Sequence, residues 1–230
     1  MILFPFLFII KRREHSGNRM NLIKKPFHYR YDNVILVLIG LNLLVYLAQL
    51  FFKNLPVTPL LSMMPILVIG KGWIWQFATY MFVHDPRSIS HLLFNMIALF
   101  VFGRPVERRM GSREFLLFYL STGVLAGVFS FAVYILTGNF LVSLMGASGA
   151  VFAVQLAFAA FFPDSIVYVW GILPLRAPVM VLGFTALELF SMFTGFGGNV
   201  AHATHLAGFG FAWLYFLIRF GINPWRAMRR

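Results

Sequence analysis

Residues 33–52 read NVILVLIGLNLLVYLAQLFF, a run of twenty positions without a charged side chain. An α-helix rises about 1.5 Å per residue, so such a run reaches across a hydrocarbon core of about 30 Å. The rest of the chain has the same character. Of its 230 residues 60% are hydrophobic and only 11% are charged, whereas soluble domains carry roughly a quarter charged residues. A surface facing water throughout is excluded. The length accommodates one compact all-α bundle of about six membrane helices of roughly 20 residues each, with loops between them.

Further spans are expected at about 89–102, 115–136, 144–162, 177–193 and 200–220, after the first at 33–52. The segment 53–88 is too apolar for a solvated linker, yet Pro56, Pro59, Pro65, Gly70 and Gly72 break it up. Its Trp73, Trp75 and Tyr80 are residue types favoured at the membrane interface. Residues 1–10 are apolar but too few to span, and Lys11-Arg12-Arg13 follow them. A secretory signal has the opposite order. The segment reads as a peripheral anchor, or as residues upstream of a start at Met20. No internal repeat or low-complexity linker stands out. The expected organisation is a basic segment over 1–32, one membrane domain over 33–220 and a basic tail over 221–230.

The net charge of +12 does not point to nucleic acid, because the basic residues lie between apolar runs. Lys and Arg are retained on the cytoplasmic side of membrane proteins. With six spans, the basic residues before span one, Arg104, Arg108, Arg109, Arg113, Arg176, Arg219 and those of the tail fall on one side. Only Lys53, Lys71 and Arg87 fall on the other. Both termini are therefore expected in the cytoplasm. There is no cysteine, so disulfides and a catalytic thiol are excluded.

Polar groups at membrane depth are costly and mark candidate sites. His91, Asn95, Ser148, His202 and His205 are all expected near the non-cytoplasmic ends of spans two, four and six. Ser148 lies in Gly146-Ala147-Ser148-Gly149, where glycines permit close backbone approach. A serine hydroxyl needs a base to become a nucleophile, and His205 is the best placed. Gly149 and Ala150 on one span and Ala207 and Gly208 on the other are small enough to let the two helices meet. Taken alone, a serine among small residues is more often packing. His91 and Asn95 are four residues apart and share a helix face. They fit oxyanion donors and interhelical staples equally well. A metal on His202 and His205 needs a third protein ligand, and no Cys, Asp or Glu is evident nearby. Glu188 and Gln155 stand outside this layer, and Glu188 has no assigned role.

Three motifs together resemble those of the rhomboid family of intramembrane proteases. His91-Leu92-Leu93-Phe94-Asn95 resembles the family's HxxxN in its second span. Gly146-Ala147-Ser148-Gly149 matches its GxSG, and residues 202–208, HATHLAG, resemble its AHxxHxxG. Val106-Glu107-Arg108-Arg109-Met110-Gly111 is similar to the segment after its second span. The resemblance covers residues 33–220, with the motifs in order. It implies a six-helix fold and peptide-bond hydrolysis without cofactor or metal. It also implies a Ser148–His205 dyad without a triad acid, so no acidic residue is expected at the site. Oxyanion contacts would come from the Ser148 N–H, His91 and Asn95, and Phe152 would lie against the base. The implied partners are transmembrane protein substrates and the lipid bilayer, and the implied location is a bacterial inner membrane. An inactive relative that binds membrane clients would lack Ser or His, and a channel would carry polar residues through the full membrane depth. Trp75-Gln76 departs from the family's commoner Trp-Arg, which bears on loop anchoring. Asp85-Pro86-Arg87 reads as loop variation, and His84 as structural.

Overall fold

The computed structural model describes residues 26–52, 54–169, 171–194 and 199–229. The apolar stretch 1–10, the basic residues up to Lys25, Lys53 and Arg230 lie outside the described residues. Ten helices and one hairpin follow in order among those described. They are α1 (Val34–Phe51), α2 (Val57–Leu61), α3 (Pro65–Lys71) and α4 (Gln76–Thr79), the last continued by a 3-10 turn. Then come α5 (Ile89–Met110), α6 (Ser112–Leu136) and α7 (Ser148–Phe161). The antiparallel strands β1 (Ile166–Val169) and β2 (Leu173–Arg176) lead to α8 (Ala177–Thr194). Last are α9 (Asn199–Tyr215), prolonged by a π-helical turn over Phe216–Phe220, and α10 (Pro224–Met228).

The helices α1, α5, α6 and α8 are long and apolar enough to cross a membrane. The shorter α7 is enclosed by α5, α6, α8 and α9. Ala153, Val154, Ala157 and Ala159 on it are fully buried. The protein is an all-α, multi-pass membrane protein. Its burial pattern is that of a chain folded in lipid. On α1 the inward residues include Asn42, Tyr46 and Gln49, while Leu36, Val37, Leu44 and Phe51 face outward. Asn42 donates to the Leu38 carbonyl at 2.8 Å and Gln49 to the His84 carbonyl at 2.9 Å, partners that lipid does not offer.

Two polar knots fix the ends of the bundle. At one end Glu107, at the foot of α5, accepts the N–H groups of Val34 and Ile35 at 2.7 and 3.2 Å. This carboxylate caps α1 from another helix, where orphan N–H groups and the helix dipole favour an anion. Glu107 also accepts from Ser112, whose Oγ in turn accepts from the Asp32 N–H at 2.7 Å. Beside it Glu114 pairs with Arg219 at 2.7 Å and accepts from Tyr215 and the Phe27 N–H. This knot gives the Glu107 segment noted in the sequence a structural task. At the other end, Gln76 anchors the segment 53–88. Its amide donates to the carbonyl of Pro59 at 2.8 Å and accepts from the Met64 N–H at 3.1 Å. Trp75 donates to the Leu60 carbonyl at 3.0 Å. A neutral amide thus does the anchoring where an arginine is commoner.

Two expected spans shift markedly, and the tail is in part helical. The second helix runs on to Met110, because Gly111, at φ +86°, is what ends it. The fourth begins at Ser148 and not at 144. Leu144 is bridged to Met63, and Gly146 adopts φ +119° while donating to the Tyr80 carbonyl at 3.0 Å. Neither conformation belongs to a helix. The tail forms α10, where the Asn223 side chain accepts from the N–H groups of Trp225 and Arg226.

Helices α7 and α9 meet backbone to side-chain-free backbone. A Cβ on Gly208 would lie 2.0 Å from the Gly149 carbonyl oxygen. A Cβ on Gly149 would lie 3.2 Å from that of Ala126 and 3.3 Å from Thr204 Cγ2. Ser130 and Thr204 share a hydrogen bond at 2.6 Å that ties α6 to the same seam. Gly208→Ala must therefore push the two helices apart. We expect a loss of about 1–3 kcal/mol, the usual cost of overpacking, read as a lower Tm of the purified protein. An unchanged Tm would mean that the seam has slack.

Candidate active site

Ser148 is the first residue of α7. Its N–H therefore has no carbonyl within the helix to bond, and it sits at the positive end of the helix dipole. Across the seam, Nε2 of His205 on α9 lies 2.8 Å from Ser148 Oγ. Phe152, one turn after Ser148, stacks on the His205 ring at 4.4 Å between centroids and 11° between planes. That is the aromatic contact expected from the sequence. It covers one face of the imidazole and holds the ring edge-on to the serine.

His91 and Asn95 of α5 are brought to the same place. A Cβ added to Gly146 would lie 2.8 Å from His91 Nε2 and 3.8 Å from Ser148 Oγ. The absent side chain thus leaves a gap flanked by both groups, and the positive φ keeps any other residue out. Asn95 is buried and donates from Nδ2 to the His91 carbonyl at 2.8 Å. One of its amide hydrogens is thus spent within its own helix. His84 lies behind His91, edge to face at 5.1 Å, and is fully buried.

One expectation fails. An acidic residue does stand at the site: Glu188 of α8 reaches His205, with Oε1 at 3.0 Å from Nδ1. Its other oxygen lies 2.5 Å from Nδ1 of His202. The His205 contact is close but out of line with the ring N–H, and Nδ1 forms no aligned hydrogen bond. The contact is therefore a charge interaction more than a directed bond. The same three residues also correct the view that His202 and His205 lack a third ligand. Ligand atoms of Glu188, His202 and His205 lie within 4.8 Å of one another.

The site opens into a cavity of about 640 Å³. His91, Asn95 and Ala98 of α5 form one wall, Met180 and Phe184 of α8 the other, and Ser148, Phe152 and Gln155 the floor. The hairpin residues Val167, Tyr168 and Val169 line it as well. The lining is mostly apolar, with a few polar groups among which are His91, Asn95, Ser148 and His205, an arrangement common to small-molecule and peptide sites.

A rhomboid domain profile matches residues 71–222, a stretch that contains every residue of this site. The chain belongs to the rhomboid family. Over 184 residues it is 28% identical to rhomboid protease GlpG of Haemophilus influenzae, covering 80% of this chain and 89% of that protein. It is 26% identical over 201 residues to rhomboid protease AarA of Providencia stuartii, covering 75% and 67% respectively. A shorter match to rhomboid protease GluP of Bacillus subtilis is 38% identical over 85 residues, which is 37% of this chain and 15% of that protein.

Within this rhomboid domain His84 has a measurable consequence. Burial pushes its pKa down from 6.5 to about 4; the neighbouring His91 adds to the shift and the Phe82 carbonyl opposes it. Neither ring nitrogen has an aligned hydrogen bond among the described residues. The folded protein therefore holds His84 neutral, while the unfolded chain takes up a proton more readily. The stability from neutral His84 is complete above about pH 6.5 and is lost as pH falls towards 4. We expect Tm to fall across that window, and to fall less steeply in His84→Gln. Equal slopes would remove His84 as a source of acid sensitivity.

Proposed function

We propose that this chain is a serine-type intramembrane endopeptidase that hydrolyses peptide bonds in or near transmembrane segments. The observation that carries the reading is the 2.8 Å contact between Ser148 Oγ and His205 Nε2, at one end of an apolar cleft. In this mechanism His205 takes the Ser148 proton as Oγ attacks the scissile carbonyl carbon. The oxyanion is met by the Ser148 N–H at the helix start, with His91 and Asn95 as further donors. The tetrahedral species collapses, the C–N bond breaks, and His205 returns the proton to the leaving amine. Water then repeats the sequence on the acyl-enzyme and frees Ser148.

The cleft between α5 and α8 suits an apolar segment entering from the bilayer, so the substrates we propose are membrane-spanning proteins. The names of GlpG, AarA and GluP as rhomboid proteases support the same activity here. An inactive client-binding relative is disfavoured, because both Ser148 and His205 are present and in contact. The sorting of basic residues supports cytoplasmic termini, and bacterial relatives support an inner-membrane location. The two catalytic groups would then work from the opposite, outer half of the bilayer.

A fluorophosphonate probe tests the reading directly. It should label the purified wild-type protein on Ser148, and leave Ser148→Ala unlabelled. His205→Ala should label at least about 100-fold more slowly, since an activating base typically contributes at least that much. Equal labelling of wild type and His205→Ala would remove His205 as the base.

A further inference from the structure

Glu188 lies mid-helix in an apolar span, where an ionised side chain is costly and persists only with partners. Its partners are two imidazoles. One carboxylate oxygen lies 2.5 Å from His202 Nδ1 and the other 3.0 Å from His205 Nδ1, and the three side chains are only 13 to 19% exposed. On the far side of the His205 ring, Nε2 faces Ser148 at 2.8 Å. Ser148, His205 and Glu188 thus form a chain from helix to helix to helix.

We propose that Glu188 is a positioning residue for the base, and that His202 holds its carboxylate in place. The proposal rests on the reading of His205 as the base of Ser148. The two imidazole nitrogens cannot play the same part. A proton on Nδ1, drawn there by the carboxylate, leaves Nε2 bare to accept from the serine hydroxyl. When Nε2 then takes the serine proton, the ring becomes a cation beside a carboxylate in a site shielded from water, where opposite charges attract strongly. Phe152 fixes the plane of the ring but does not select its tautomer. Glu188 does. His202 bonds the second oxygen at 2.5 Å, so the carboxylate is held beside His205 and does not turn away. The chain accordingly departs from a two-residue mechanism and carries a Ser–His–Glu series built on α7, α9 and α8.

The test is steady-state cleavage of a membrane-spanning substrate by the full-length protein in liposomes. Loss of an aligned acid from a serine triad costs about four orders of magnitude in kcat through the wrong tautomer. Because Glu188 approaches His205 out of line, we expect Glu188→Gln to lower kcat by about 10- to 100-fold, with KM within about twofold of wild type. Glu188→Asp should recover part of the loss. His202→Ala should cost less than Glu188→Gln, because Glu188 still faces the base. An excess of EDTA should leave the wild-type rate unchanged. A wild-type kcat in Glu188→Gln would overturn the proposal. So would a loss fully accounted for by a lower folded fraction, measured by Tm on the same samples. A raised KM at normal kcat would make Glu188 a substrate contact instead, and abolition by EDTA would make the cluster a metal site; either result overturns the proposal. Full activity in His205→Ala would overturn the parent reading, whereas a normal Glu188→Gln alone removes only Glu188.

Discussion

The close approach of α7 and α9 is the constraint on which the rest depends. Gly149 and Gly208 bring two backbones together with no side chain between them. Ser148 and His205 each sit within one helical turn of that contact. A serine and a histidine have short side chains. Their 2.8 Å contact therefore needs the parent helices at a separation that only glycine or alanine permits. Phe152 on α7 and Thr204 on α9 then fix the rotation of the pair, one by stacking on His205 and the other by bonding to Ser130. The geometry of the candidate site and the packing of the helices are here the same feature.

The bilayer explains the remainder of the architecture. Lipid gives polar groups nothing to bond, so the charged and amide groups at the bundle ends find partners inside the protein. Glu107 finds the bare start of α1, Glu114 finds Arg219, and Gln76 finds the carbonyls of the segment 53–88. These knots lie at the two ends of the bundle and leave its middle apolar and closely packed. The site occupies the end where α5, α7 and α9 bring His91, Ser148 and His205 together. An apolar cleft leads away from it between α5 and α8.

Much of this was legible in the sequence. Hydrophobic runs gave the spans, and polar residues within those runs marked the candidate site. The small residues beside Ser148 and His205 announced the seam. What escaped was tertiary. The start of α7 depended on a bridge from Leu144 to Met63 and on the backbone of Gly146, and no local pattern encodes either. The hairpin over Ile166–Arg176 falls in the stretch left between the fourth and fifth expected spans, to which no structure is assigned from sequence. Glu188 escaped because it is remote from the motifs along the chain. A signal was nonetheless present. Glu188 and His202 lie on the consecutive helices α8 and α9, and elements consecutive in sequence are usually neighbours in space. An acid stranded in an apolar span calls for such a partner.

The central claim is that Ser148 acts as a nucleophile on a membrane-spanning polypeptide. It is tested most directly by reconstituting the purified protein with a single-span substrate in liposomes and analysing the products by mass spectrometry. The account predicts two fragments from a cut within or beside the span for the wild type, and intact substrate for Ser148→Ala. Cleavage at the same bond by a correctly folded Ser148→Ala protein would contradict it.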